Sequence, residues 1–416
     1  MNLLKGSAIA LILRILSALI SFVVAASITR NLGTDQAGLY FYATSLVILF
    51  VSVCGLGLNN TVLKYVAIYH NQQNALKLNA VVNKSVIWSA SVSLVVVALT
   101  SVLLVFYPQV AGNNHQYYYL FLFAVPCLAV IALISHAIQA TGKVAISMMM
   151  AGLIQPFSFL VINFVLVPHE ITSLAQNYFF SVLCALSACI IYWLRQNHFS
   201  YNLNFDSKIL LASCSSLLIF QIFQQFNTVI GQLFLGLWGS NTEVALFAVS
   251  IKVATLTSFI MFAVNRVVAP KFAALYAAND LVGLGIAVAH SKRIMLLATF
   301  PLIALLLFFP EFILAFFGEE YKTSASILRV LALIQFFSVW VGSVSYLLIM
   351  TGQEKAHRNN VIISSVIASV IGCIIVPFYP LWGAVAISGL CVIITCYLSS
   401  RVVSKKLGIN MFSLFT

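Results

Sequence analysis

A single lysine, Lys252, interrupts the apolar run of residues 244–261, with Thr255 three positions and Arg266 fourteen positions further on, near the same face of a helix. Arg14 interrupts the first apolar run in the same way, and Ser7, Ser17 and Ser21 fall near its face. A cation at the centre of a hydrophobic helix costs about 2.5–3.5 kcal/mol on insertion scales, so it faces water, a partner or an anion. The competing reading for Lys252 is a bond to a neighbouring helix carbonyl, and for Arg14 snorkelling to the headgroups. Gln221, Gln225, Thr228 and Gln232 recur at i, i+4, i+7 and i+11, one helical stripe, with Gln224 and Asn227 alongside. Such a stripe either lines a hydrated, sugar-compatible path or ties helices together at about 0.6 kcal/mol per residue. Arg329, beside Glu319, Glu320 and Lys322 near a span's outer end, reads as snorkelling or a local ion pair, and His136 as a structural histidine. Cations without acids among them suit an anionic cargo.

The absences matter as much. No Asp or Glu lies near the middle of any apolar run, where intramembrane hydrolysis or metal chemistry would need a base or a ligand. No HExxH, Walker A or other nucleotide loop is present, and the eight cysteines sit in apolar runs without a CxxC pair. No catalytic residue, cofactor or metal is expected, and the chain is not expected to be an enzyme.

The elements that hold these side chains follow from composition. Of 416 residues 62% are hydrophobic and 7% charged, against about 25% charged in soluble domains. Twelve candidate spans emerge, at 6–30, 37–63, 82–107, 117–141, 144–167, 172–195, 209–236, 242–269, 293–317, 324–350, 359–379 and 381–403. Tyr117, Tyr118 and Tyr119 at the start of the fourth read as an interfacial aromatic belt. With the N-terminus inside, sixteen Lys and Arg fall on the inner side against Arg30 and Lys322 outside, while Arg14, Lys252 and Arg329 lie within spans. The positive-inside rule therefore places both termini in the cytoplasm and accounts for most of the +12 net charge, so nucleic acid is not an expected partner.

The two halves resemble each other. Sliding residues 33–75 by 206 pairs Gly33 with Gly239, Phe41 with Phe247, Asn59 with Asn265 and Val62 with Val268, and Thr141-Gly142 is matched by Thr351-Gly352. Both copies place a long basic loop, 64–84 and 266–293, after the second span. The expected fold is all-α and polytopic, two six-helix lobes related by a parallel repeat. The expected boundaries are 1–198 for the first lobe, 199–208 for a cytoplasmic linker and 209–416 for the second lobe.

The segment 31–63, NLGTDQAGLYFYATSLVILFVSVCGLGLNNTVL, resembles the start of the polysaccharide flippases of the multidrug/oligosaccharidyl-lipid/polysaccharide exporter superfamily. EVALFAVSIKVATLTSFIMFAVNRVVAPKFAALY (243–276) is similar to the matching stretch of their second half, and FGEEYKTSASILRVLAL (317–333) to their tenth span. The resemblance implies export of undecaprenyl-pyrophosphate-linked O-antigen or capsule units across the bacterial inner membrane, with lipid-linked oligosaccharide, membrane lipids and other polysaccharide-assembly proteins as partners. Asn227 stands where these families often carry an acid, a departure that speaks against carboxylate-based ion coupling there. On this reading Arg14, Lys252, Arg266, Gln221, Gln225, Thr228 and Gln232 contact the cargo. The alternatives are an organic-cation antiporter of the same superfamily, which calls for buried carboxylates, and a membrane polysaccharide polymerase or ligase, which calls for a large polar loop.

Overall fold

The computed structural model describes the backbone of residues 3–106, 116–196 and 205–413, and among them every regular element is helical. The chain divides into two compact units, Met1–Gln225 and Phe226–Thr416. The first holds α1 (Leu3–Cys54), α2 (Leu58–Asn71), α3 (Ala75–Phe106), α4 (Gln116–Ala140), α5 (Val144–Gly152), α6 (Ile154–Val165), α7 (Ile171–Gln196) and the first part of α8 (Ser207–Trp238). The second holds the rest of α8, then α9 (Asn241–Ala254), α10 (Thr257–Ala277), α11 (Leu281–Phe308), α12 (Pro310–Leu314), α13 (Ala325–Val341), α14 (Val344–Met350), α15 (Glu354–Ile375) and α16 (Pro380–Leu407).

Eleven stretches among the described residues are long and apolar enough to cross a membrane. The first, Ile12–Cys54, has 43 residues, or about 65 Å of helix, twice the ~30 Å hydrocarbon thickness. It cannot be one crossing. Gly33, at φ 73° and ψ 178°, breaks it into two helices with a conformation that costs glycine little, so twelve crossings result.

Two sequence expectations need correction. The second, fifth, eighth and tenth spans are each two helices, broken at Gly55–Gly57, Leu153, Thr255–Leu256 and Gly342–Ser343. The supposed basic loops 64–84 and 266–293 are mostly helix. α2 is joined to α3, and α10 to α11, by a three-residue turn. Helices extend beyond the apolar run because their ends are solvated by water, where Lys and Gln are good helix formers.

The two units repeat each other in detail. Gln73 (φ 53°) and Asn279 (φ 55°) occupy matching left-handed positions. Asn74 and Asp280 then accept the backbone N–H of Lys77 and Gly283, at 3.0 and 2.7 Å, as N-caps of α3 and α11. These pairs lie 206 apart. Further along the offset is 210. Lys143 donates to Gln196 in the first unit, and in the second Lys406 donates to Gln353, the same contact with donor and acceptor exchanged. With the offset drifting from 206 to 210, no single slide aligns both stretches.

Candidate functional site

In the second unit, α9 begins with a capping box, Ser240 accepting from the Glu243 backbone N–H while the Glu243 carboxylate accepts from that of Ser240. Val244, Phe247, Ala248 and Val249 are buried and seat the helix. α8 approaches closely at Gly231, where a Cβ would fall 2.4 Å from the Phe247 ring and 2.5 Å from the Ser388 hydroxyl. Lys252 follows eleven residues after Asn241, ~17 Å along the helix and so near mid-membrane. Its side chain is half-buried and has no hydrogen bond or ion pair among the described residues. Neither the neighbouring carbonyl nor a carboxylate takes it.

The stripe from Lys252 through Thr255 to Arg266 is not a continuous helical face. The chain tightens into i→i+3 bonding after Ala254, with the N–H groups of Leu256, Ser258 and Phe259 bonding to the carbonyls of Val253, Thr255 and Leu256. Thr255 turns its hydroxyl to the Lys252 carbonyl at 3.0 Å. Arg266 is exposed on α10, its guanidinium 4.9 Å from the Phe262 ring centroid.

On α8 the structure separates two kinds of polar residue. Asn227 is tied into the packing of α8 on α15 and α16. Its amide donates to Ser364, and its oxygen accepts from Ser365 at 2.6 Å and from the Cys391 thiol at 3.4 Å, while Thr395 donates to Ser364 at 2.7 Å. This neutral network occupies the amide oxygen of Asn227 twice and one of its two N–H donors. The stripe beside it differs. Thr228 is exposed and Gln225 half-buried, each with an interaction of its own, whereas among the described residues half-buried Gln232 has no side-chain bond and the buried Gln221 amide oxygen has no partner.

In the first unit, Arg14 is exposed on α1, three residues before Ser17, whose hydroxyl donates to the Gly152 carbonyl where α5 ends. Ser17 is thus a helix tie, and the side chain of Ser7 lies outside the described residues. Other expectations are corrected. Arg329 pairs with no acid among the described residues: it is exposed, its Nε donates to the Leu307 carbonyl at 3.1 Å in the last turn of α11, and the local ion pair is Lys322–Glu319. Tyr117 and Tyr118 are buried in the unit, their rings 4.3 Å apart, and form no belt. His136, in keeping with its reading as a structural histidine, bonds the Ala132 carbonyl on its own helix. Among the described residues no cluster of His, Cys, Asp and Glu could hold a metal ion.

Sequence reasoning missed Lys84 and Lys292, which read as solvated loop cations. Lys84 on α3 donates to the Phe205 carbonyl at 2.6 Å, and Lys292 on α11, 2% exposed, donates to the carbonyls of Met411 and Ser413. Their matched places in the two halves were the available signal.

A family model described as polysaccharide biosynthesis protein matches residues 3–276, and a second, MatE, matches residues 217–378. No curated protein matches the sequence. Among solved structures the chain is similar to the lipid II flippase MurJ in an inward closed conformation, with TM-score 0.74, 16% identity and coverage of 94% of this chain and 87% of that one. An inward-facing multidrug resistance MATE family transporter gives TM-score 0.71 at 14% identity over 97% and 96% of the two chains. A transporter from Pyrococcus furiosus whose binding pocket is described as having reverse polarity gives 0.67 at 14% over 97% and 96%. At these identities the likeness shows the fold.

Proposed function

This chain belongs to the polysaccharide biosynthesis protein family, within the superfamily of multidrug, oligosaccharidyl-lipid and polysaccharide exporters, and on that premise we propose that it is a flippase for undecaprenyl-pyrophosphate-linked O-antigen or related polysaccharide repeat units. It carries them from the cytoplasmic to the periplasmic leaflet of the bacterial inner membrane by alternating access, with both termini in the cytoplasm.

The observation that carries this reading is Lys252, a lysine far inside an apolar span with no hydrogen bond or ion pair among the described residues. The polyprenyl tail of such a cargo stays in lipid, but its diphosphate and sugars must cross ~30 Å of hydrocarbon. A lysine acts as a point charge for phosphate, and in a water-poor site its charge-assisted hydrogen bonds to phosphate oxygens are about twice as strong as neutral ones. Gln221, Gln225, Thr228 and Gln232 offer amide and hydroxyl donors and acceptors that suit sugar hydroxyls, which need both. Arg266 and Arg14 are the further cations offered to the anion. Lipid-linked oligosaccharide and membrane lipids are the partners, with other polysaccharide-assembly proteins receiving the product.

The MatE match and the likeness to multidrug transporters favour a second reading, an antiporter of organic cations. It calls for a membrane-embedded carboxylate, and the acids within the candidate spans, Asp35, Glu243, Glu319, Glu320 and Glu354, all sit at helix starts or, for Asp35, beside the Gly33 break. The test is complementation of a strain lacking this protein. Lys252→Ala should abolish surface glycan with the protein still in the membrane, and Lys252→Arg should restore part of it. Normal glycan with altered resistance to cationic dyes would overturn the flippase reading in favour of the antiporter.

A further inference from the structure

The chain beyond α16 folds back onto the second unit. Gly408, at φ 70°, ends the helix in the left-handed conformation, and Ile409 and Met411 bury among residues of α10, α11, α13, α14 and α16, including Phe272, Leu284, Val341, Leu347 and Val403. Lys292 holds this segment in place. Its Nζ donates to the carbonyls of Met411 at 2.7 Å and Ser413 at 3.1 Å, residues far along the sequence, and lies 5.4 Å from the Trp340 ring centroid. Its stem packs beneath Gly342, where an added Cβ would lie 3.7 Å from it. Gly342, at φ 85°, is the break between α13 and α14.

The first unit repeats the device. Lys84 donates to the Phe205 carbonyl, and Phe205 is buried against Tyr65 and Tyr69, with ring centroids 5.5 and 6.3 Å apart. In both units a lysine of the third crossing grips the chain just beyond the sixth. Contacts duplicated across halves with so little identity are built into the fold.

We propose that residues 408–413 are a strap over one end of the second unit, locked by Lys292 and released when the chain bends at Gly342. The lock has a physical reason to be conditional. Among the described residues this buried ammonium is held by neutral carbonyls and a ring face and by no carboxylate, so its place depends on those two carbonyls staying in reach. The carbonyls belong to a strap anchored by two apolar side chains, and the lysine stem lies against a glycine already outside the helical region. Rotation at Gly342 therefore displaces the stem, the amine loses its acceptors, and the strap opens. The inference does not rest on the identity of the cargo.

The test is maleimide labelling of full-length protein carrying Met411→Cys, purified in detergent, with labelled peptides resolved by mass spectrometry. Labelling tracks the population of the open strap. Expected is slow labelling with Lys292 present, about tenfold or more faster labelling with Lys292→Met, and near-parental labelling with Lys292→Arg. Gly342→Ala, strained at its positive φ and remote from the strap in sequence, should accelerate labelling as well, and it decides the matter if Lys292→Met does not fold. Unchanged labelling in folded Lys292→Met or in Gly342→Ala overturns the proposal.

Discussion

Replacing Lys252 by alanine separates a cargo contact from a structural one. The side chain has no partner among the described residues, so its removal breaks no hydrogen bond in the second unit. Removing an ammonium from mid-membrane relieves an insertion cost of about 2.5–3.5 kcal/mol, less whatever hydration the site already provides. Thermal stability should therefore hold or rise. The interaction with the cargo behaves oppositely. A charged hydrogen bond to phosphate contributes about 1.5–3 kcal/mol, which converts at 1.4 kcal/mol per decade to roughly 10- to 150-fold weaker binding. The assay is proteoliposome translocation of a fluorescent polyprenyl-diphosphate oligosaccharide, beside a melting curve of the same preparation. Lys252→Arg should retain most of the binding because the charge persists, and Lys252→Gln should behave like alanine. Translocation within twofold of the parent would refute the reasoning. So would a fall in melting temperature that tracks the loss of transport, since that pattern belongs to a lysine holding the fold.

The network around Asn227 should show the reverse pattern. Asn227→Leu removes the 2.6 Å acceptor of Ser365, whose hydroxyl still has the Val361 carbonyl at 2.7 Å, so the loss should be about 0.5–1.5 kcal/mol in unfolding, with transport per folded molecule retained. Gly231→Leu places a side chain where even a Cβ meets Phe247 at 2.4 Å, and about 1–3 kcal/mol of overpacking should appear as a lower melting temperature. For the exchanged pair of the repeat, Lys143→Gln alone should cost less than about 1 kcal/mol, and adding Gln196→Lys should recover the coupling, because the double variant adopts the order already found at Gln353 and Lys406. A double-mutant cycle without coupling would show that the contact carries no energy.

How far these features could be read from the chain depends on the range of the physics involved. The existence of each crossing was legible because insertion into hydrocarbon depends on the local sum of side-chain transfer energies. The breaks inside four spans were less so. Gly342 and the Gly55–Gly57 pair are visible as glycines, but Thr255–Leu256 carries no such mark, and its i→i+3 bonds are stated only by the coordinates. The expected loops at 64–84 and 266–293 were misjudged for a related reason: hydropathy falls where a helix leaves the membrane, although the helix itself continues through Asn71 and Ala277.

By itself the sequence determined that this is a membrane protein of about twelve helices with duplicated halves, and that cations rather than acids interrupt its spans. Those properties are sums or spacings along one dimension, so no partner is needed to define them. Tertiary structure alone decided which polar side chains are committed to packing. Asn227 and Gln232 lie five residues apart on one helix, yet the first is bonded to serines 137 and 138 residues away, while the second has no side-chain bond among the described residues. Lys292 and Lys252 have the same chemistry, but among the described residues only the first finds carbonyls, 119 and 121 residues along the chain. A hydrogen bond requires an acceptor within about 3 Å, and its presence is set by the path of the whole chain.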